Sequence, residues 1–393
     1  MTKMSTYTIP LGYIFELDDL GWDDGRDLRL YGKASRSGIP RDHAVEDYEM
    51  LDKLTKATGK HLATAIVLGD FDKDNILRGE VGVTHDPYGW NRAEAIDLEK
   101  AEKCVRIMEN ADIDYMVHGL LHGRYTEDGR MINEHEFINT ENIDGKETAV
   151  YISDEEVERH LSLFFKIYDS LGMKKPVRGF VNPGGICYAS EKFFDQMSKV
   201  LYKFGIRYWA DPLLSWGFDD TVLKVYNGVA VFRWKRNKTP MPWQAYDFDP
   251  DTLYTFNSLD DTRKSCLHGS HWSNFLRYNP KRNVENIPAW VDFFKRQGEV
   301  FGSMNSTTLA EAVNQAFYYQ FADVEEKDGV ISIDLCEVEK NKLDCHKDEF
   351  FISFLHGTEP KSCEGGDISL YEKHDEFDIY KIIHSESKVL ITF

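Results

Sequence analysis

The sequence lacks the features that mark a secreted, membrane-embedded or disulfide-stabilised protein. Its 393 residues include only six cysteines, which are scattered and form no CxxC pair. The N-terminal stretch MTKMSTYTIPLGYIF has no long apolar segment followed by a small-residue cleavage site. No later run approaches the uncharged apolar length of a membrane span. We therefore expect a cytoplasmic protein whose cysteines are free thiols.

Basic residues are also scarce. The 47 Lys and Arg residues are outnumbered by 67 Asp and Glu residues, which gives a formal net charge of -20. Nucleic acids and anionic membranes bind to basic surfaces, so neither is expected as a partner. Hydrophobic residues make up 42% of the chain, enough for a sizeable buried core. The sequence does not indicate an oligomeric state.

Strand-like and helix-like segments alternate through residues 1–322. YIFEL (residues 13–17) and HLATAIVLG read as strands, and amphipathic helical patterns follow them. This alternation predicts an α/β domain with a mostly parallel sheet, open or closed into a barrel. Residues 323–393 contain only short β-like segments between polar turns. They predict a small antiparallel β domain without helices.

Several polar residues follow the predicted strands. Ligands of parallel α/β folds bind at the C-terminal ends of the strands, because the strand-to-helix loops gather there. The residues that would meet at this edge are Asp18 and Asp19 after YIFEL, His118 and His122 in HGLLH, Asn182, Pro183 and Gly184 in NPGG, Trp209 and Asp211 in YWADP, and His268, His271 and Trp272 in CLHGSHW.

The four-residue spacing of His118 and His122 is common in metal sites. On its own this spacing more often reflects two unrelated polar residues at the start of a loop. A carboxylate after an earlier strand strengthens the metal interpretation. Two histidines and one carboxylate leave coordination positions open, which is typical of a catalytic rather than a structural metal.

The order of these motifs resembles that of the polysaccharide deacetylase family, the carbohydrate esterases built on a distorted (β/α) barrel. IFELDD resembles their first motif, HGLLH their second, FVNPGG part of their third, YWADP their fourth and CLHG their last. The resemblance covers roughly residues 13–272. Val181 stands where the family's third motif has Arg, and Arg178 lies just upstream.

The resemblance implies a distorted (β/α) barrel over residues 1–322 with a C-terminal antiparallel β domain. It also implies a hydrolase that removes an acyl group, with N-acetyl expected, from a sugar or small amide. Asp19, His118 and His122 would hold a divalent metal, with zinc expected. Asp18 would be the general base and His268 the general acid. The substrate would contact Asn182, Pro183, Gly184, Trp209, Asp211, His271 and Trp272.

Three alternatives are open at this point. Asp23-Asp24 could replace Asp18-Asp19 as the functional pair, although it lies beyond the strand. The same metal site could serve a C–N hydrolase that acts on a non-carbohydrate amide. The chain could also be a non-catalytic carbohydrate-binding protein, although such a protein needs neither a base nor an acid.

Overall fold

The structure is a computed structural model. It describes residues 7–12, 14–21, 41, 43–83, 92–94, 96–125, 131–132, 135–184, 187–210, 214–215, 222–232, 237–238, 267–301 and 307–393. The helices of this part of the chain are α1 (Val45–Thr58), α2 (Leu98–Asn110), α3 (Asp154–Ser170), α4 (Glu191–Lys203), α5 (Ile287–Phe301), α6 (Leu309–Phe321) and α7 (Cys336–Asn341).

The strands of the N-terminal 300 residues include several of only two residues. They are β1 (Tyr7–Thr8), β2 (Ile14–Leu20), β3 (Leu62–Ile66), β4 (Ile113–Val117), β5 (Arg124–Tyr125), β6 (Met131–Ile132), β7 (Ile138–Ile143), β8 (Lys146–Tyr151), β9 (Val177–Phe180), β10 (Tyr188–Ala189), β11 (Tyr208–Trp209), β12 (Leu214–Ser215), β13 (Leu223–Tyr226), β14 (Val229–Phe232), β15 (Asn237–Lys238) and β16 (Leu267–His271).

The remaining strands belong to the C-terminal segment. They are β17 (Asp323–Lys327), β18 (Val330–Asp334), β19 (Glu349–Leu355), β20 (Ser362–Glu364), β21 (Gly366–Lys373), β22 (Phe377–His384) and β23 (Lys388–Thr392).

The main sheet has the strand order of a barrel with one break. Its order is β13-β14-β11-β9-β4-β3-β2-β16-β15, and every pairing is parallel except that of β13 with β14. Because the late strand β16 pairs with β2, the chain order runs around the sheet and returns to its start. Within the described residues β15 does not pair with β13 or β14, so the barrel is open there. The predicted distorted (β/α) barrel is confirmed.

The two faces of this sheet pack against different partners. One face, with Phe15 and Phe180, packs against helices α1 to α5 in a core rich in aromatic rings. Phe15 lies edge-on to Trp290 of α5, with ring centroids 5.8 Å apart. The other face, with Ile14 and Met116, packs against α6 and the C-terminal strands. Alternating strand residues therefore serve two separate cores.

Helix α6 lies so close to the sheet that the facing residues must be small. A β-carbon on Gly12 would come within 2.6 Å of the Ala312 backbone. Gln315 of α6 donates to the Pro10 carbonyl at 2.8 Å and to the Phe351 carbonyl at 2.9 Å. The helix thus connects the barrel with the C-terminal sheets by both packing and hydrogen bonds.

Residues 323–393 form antiparallel sheets. They contribute β18, β23, β17 and β20 to one sheet and β19, β22 and β21 to another. Two details differ from expectation. The segment contains helix α7, and the N-terminal strand β1 pairs with β19, so chain from both ends shares one sheet. The domain boundary at residue 322 stays a prediction.

The described cysteines, Cys104, Cys187, Cys336, Cys345 and Cys363, are free thiols. Among the helices that the structure describes, none is long and apolar enough to cross a membrane.

A buried carboxylate holds the first and last helical parts of the barrel together. Asp47, in the first turn of α1, is fully buried. It accepts hydrogen bonds from Arg41 at 2.7 and 2.8 Å, from the Ala44 amide at 2.7 Å and from Asn283 at 2.7 Å. Arg41 also donates to the carbonyls of Arg277 and Tyr278. This network links helix α1 to the segment before α5.

We expect Asp47→Ala to lower the free energy of unfolding by about 3–5 kcal/mol, because it removes the carboxylate that neutralises a largely buried guanidinium and that caps the Ala44 amide. Asp52→Ala on the same helix removes an exposed pair with Lys56 and should cost about 0.5 kcal/mol or less. Urea denaturation of both variants measures the difference. Equal losses would show that the network does not hold the barrel together.

Candidate metal centre

Asp19 is the centre of the candidate site. It follows Asp18 near the C-terminal end of β2, and its side chain is only 1% exposed. One carboxylate oxygen, Oδ1, lies 3.4 Å from Nε2 of His118 and 3.6 Å from Nε2 of His122. The other, Oδ2, lies 3.9 Å from Nε2 of His271. Three imidazoles from two separate strand ends thus surround one carboxylate.

A bulge in β2 directs Asp19 toward the histidines. Along the pairing with β3, Leu17 faces Thr64 and Leu20 faces Ile66, so Asp18 and Asp19 together stand opposite one residue. Asp19 adopts a left-handed backbone conformation with φ of 65°. In a regular strand, neighbouring side chains point to opposite faces, and a bulge changes this direction. Asp18 and Asp19 both act to raise the pKa values of His118 and His122, against the effect of burial, so both adjacent carboxylates lie near these imidazoles.

The loop after β4 carries His118 and His122. His118 is held at both ends, because its backbone N–H donates to the Ile66 carbonyl at 3.0 Å and its Nδ1 lies 3.1 Å from the Val181 carbonyl. This contact leaves Nε2 to face Asp19. His122 also has a left-handed backbone, with φ of 66°. Strained residues of this kind cluster at functional sites.

The charges of the site are strongly coupled. Burial alone would raise the pKa of Asp19, but the facing imidazoles of His118, His122 and His271 hold that pKa well below its usual range. Burial would lower the pKa of His118, yet its contact with Asp19 raises this pKa to about 9. Burial lowers the pKa of His122 to about 4, and the neighbouring His118 contributes to that decrease. The site thus holds one carboxylate between imidazoles of different basicity.

Asp18 and His271 lie side by side on neighbouring strands. They are register partners in the parallel pairing of β2 with β16. Asp18 is 4% exposed, whereas the His271 side chain retains 17% exposure. The amide of His271 donates to Asn274 at 3.1 Å, which fixes the start of the following turn. Asp18 is therefore enclosed, and His271 is accessible from solvent.

His268, the general acid expected from the sequence, lies deeper in the same strand. Its backbone pairs with that of Phe15, three residues before Asp18 in β2. Its side chain lies outside the described part of the structure. The structure thus brings His271 to the carboxylate and leaves the role of His268 a prediction.

The segment after β9 lies beside the loop that carries His118 and His122. The Asn182 side chain is buried and donates to the Pro183 carbonyl at 2.9 Å. The same carbonyl accepts the His135 amide at 3.1 Å. Gly184 has φ of 111°, a conformation that favours glycine. Substrate contact by Asn182, Pro183 and Gly184 stays a prediction.

The two tryptophans expected to contact substrate are core residues in this structure. Trp209 and Trp272 are both 0% exposed. Trp209 packs edge-on against Phe180 with centroids 5.4 Å apart, and Trp272 packs against Tyr48 at 5.3 Å. Both rings are thus part of the aromatic core, and substrate contact by Trp209 and Trp272 stays a prediction. Asp211 and the alternative pair Asp23-Asp24 lie outside the described residues.

Two site residues escaped the sequence analysis. Glu136 and His160 are both 0% exposed, and His160 Nδ1 lies 3.0 Å from Oε1 of Glu136. The Glu136 carboxylate accepts the amides of Leu120 and Leu121 inside the HGLLH loop. Burial would raise the pKa of Glu136, but His160 and these amides hold it below its usual value. The sequence signal for this pair is His160 on the apolar face of α3. A histidine that is buried there needs a polar partner, which in this structure is Glu136.

The residues fit a divalent metal. One oxygen of Asp19 and one nitrogen each of His118 and His122 lie within 4.8 Å of one another. Both carboxylate oxygens of Asp19 are buried and accept no hydrogen bond within normal distance. Such a charge is costly unless a cation compensates it. A carboxylate with two imidazoles is a ligand set that zinc commonly takes in catalytic sites.

A second group of metal-capable residues is already neutralised. In the described part of the chain, Glu339, Asp348 and His384 also approach one another closely enough for one ion. Lys342 lies 2.7 Å from Glu339 and 3.1 Å from Asp348, and Tyr318 lies 2.6 Å from Nε2 of His384. These ligand atoms are used by protein groups, so this cluster is structural.

No family model and no curated protein sequence matches the chain. Similar solved structures include a family 4 carbohydrate esterase from Streptomyces lividans in complex with acetate. It has 10% identity and a TM-score of 0.33, and the match covers 76% of this chain and 98% of that one. A pseudoenzyme of the same family from Bacillus anthracis matches with 12% identity, a TM-score of 0.34 and coverages of 74% and 61%.

A third similar structure is the ligand-free α-N-acetylgalactosaminidase from Bifidobacterium bifidum. It has 11% identity and a TM-score of 0.32, and the match covers 85% of this chain and 58% of that one. Because the TM-scores are all near one third, the function has to be inferred from the residues of the site. Family 4 carbohydrate esterases, the enzymes that the sequence motifs resemble, are thus among the solved structures to which this chain is similar.

Proposed function

We propose that this chain is a metal-dependent hydrolase that removes an acyl group, N-acetyl in the first instance, from a carbohydrate or small amide. The observation that carries the proposal is the buried Asp19 carboxylate, which faces His118, His122 and His271 at 3.4 to 3.9 Å. A carboxylate and two imidazoles hold the metal, and a further carboxylate and imidazole stand beside it. This combination of metal ligands with a nearby base and acid supports hydrolysis. A protein that only binds a carbohydrate needs neither a base nor an acid.

The metal expected at Asp19, His118 and His122 is zinc. When bound, such an ion polarises an acyl carbonyl and lowers the pKa of a water to about 7. Asp19 supplies a negative charge without a competing hydrogen bond, and the contact of His118 with Val181 orients its free nitrogen. The three side chains come from two strand ends that the barrel fixes.

Asp18 and His271 have the proton-transfer roles in this proposal. Asp18 adjoins Asp19 and lies close enough to His118 and His122 that its charge acts to raise their pKa values, so we assign it the role of the general base that accepts a proton from water. His271 lies 3.9 Å from Asp19 and is partly exposed. It can therefore reach a leaving group that enters from solvent. We assign it the general acid role that the sequence analysis gave to His268.

We expect His118→Ala and His122→Ala to lose the single metal ion per chain while the fold is kept, because each removes one of three ligands. Elemental analysis of purified protein measures the metal, and circular dichroism monitors the fold. His356→Ala, which alters a histidine that is 52% exposed in the turn after β19, is the matched control. Full metal content in both ligand variants would rule out this site.

Asp18→Asn should keep the metal and lose about 10²–10⁴-fold in turnover, because an amide cannot accept the proton. Acetate release from a panel of N- and O-acetylated sugars measures turnover, and activity on any of them tests the proposed function itself. Asp23→Asn and Asp24→Asn are the controls. Loss of activity in these two, with Asp18→Asn active, would transfer the base to the second Asp pair.

His271→Ala should lower kcat more than it raises KM, because a general acid acts in the transition state. The loss should be larger for an N-acetyl sugar, whose amine must be protonated, than for an aryl acetate. His268→Ala provides the comparison under the same steady-state assay. If only His268→Ala shows the leaving-group dependence, His268 is the acid, as the family motif implies.

A further inference from the structure

Glu136 lies beneath the loop that carries both histidine ligands. It comes from the polar segment between β4 and α3, 16 residues after Leu120. Its carboxylate is fully buried. It accepts the Leu120 amide at 3.0 and 2.8 Å and the Leu121 amide at 3.0 Å. These are two of the three residues between His118 and His122.

The third residue between the two histidines, Gly119, lies directly against the same carboxylate. It has φ of 107°, and a β-carbon added there would come within 2.5 Å of Glu136 Oε2. On the opposite side, Gly69 donates to the Leu120 carbonyl at 2.6 Å. The loop is therefore fixed from both sides, by the turn after β3 through a backbone hydrogen bond and by Glu136 through its side chain.

His160 of α3 completes the arrangement. Its Nδ1 donates to Glu136 Oε1 at 3.0 Å, and its ring packs edge-on against Phe137 with centroids 5.8 Å apart. Arg124 donates to the backbone carbonyl of Glu136 at 3.1 Å. The Glu136 carboxylate thus contacts α3 through His160 and, on its other side, accepts hydrogen bonds from the loop between His118 and His122.

We propose that Glu136, supported by His160, is a positioning residue that sets the affinity of the metal centre by holding the peptide between the two histidine ligands. This inference rests on the proposed function. A carboxylate is required because every group it faces is a donor. An amide at this position would turn one of its two acceptor oxygens into a donor and direct it at an N–H. Residues that orient metal ligands in this way commonly change metal affinity 10- to 100-fold when altered.

The test is zinc titration of the metal-free full-length protein by calorimetry, together with the visible spectrum of the cobalt-substituted protein. Glu136→Gln should weaken zinc binding about 10- to 100-fold and shift the cobalt bands, because the ligand geometry changes. Glu141→Gln makes the same chemical change at an exposed position of the same segment and should behave as wild type.

A milder variant guards against loss of the fold. His160→Phe keeps a ring beside Phe137 and removes one donor, so it should weaken zinc binding about 2- to 10-fold. Unchanged zinc affinity in every folded Glu136 or His160 variant, with wild-type protein binding zinc, would overturn this inference and leave the proposed function intact. Failure of the wild-type protein to bind zinc would overturn both.

Discussion

The desolvated charge of Asp19 is the constraint on which the site depends. A carboxylate that accepts no hydrogen bond is unfavourable in a protein interior unless positive groups surround it. Here β2, the loop after β4 and the end of β16 all converge on this one side chain. Two of the converging residues, Asp19 and His122, adopt left-handed backbone conformations to do so. The barrel provides the rigidity that maintains this strain.

Much of this arrangement could be predicted from the sequence because it depends on local pattern. The strand before Asp18-Asp19 is apolar, the His118–His122 spacing is short, and the strand-end rule brings both to one edge. The choice of Asp18-Asp19 over Asp23-Asp24 used the rule that a functional side chain follows its strand directly, and this choice stays a prediction. These inferences use spacings of a few residues, over which the backbone has little freedom.

Other features depend on contacts between distant segments and could not be predicted in this way. The pairing of Glu136 with His160 requires knowing how the inserted segment folds against α3. The hairpin of β7 and β8 lies in a polar segment, and its local sequence signal is Asp144-Gly145 at the turn, with φ of 51° and 76°. The burial of Trp209 and Trp272 depends on how aromatic rings of several helices pack. The presence of a tryptophan in the sequence is equally compatible with a place in the core and with a surface on which a sugar ring stacks.

The pairing of β1 with β19 has a consequence for biosynthesis. Thr8 and Ser353 are hydrogen-bonded across 345 residues of sequence, and α6 lies between the barrel and that sheet. During translation, the face of the barrel that contains Ile14 and Met116 stays uncovered until α6 has been made, and the other side of α6 stays uncovered until β19 follows. Long-range closure of this kind is slow and leaves apolar surface exposed to other chains. Nascent chains of this protein should therefore depend on chaperones until the last tenth of the sequence has emerged.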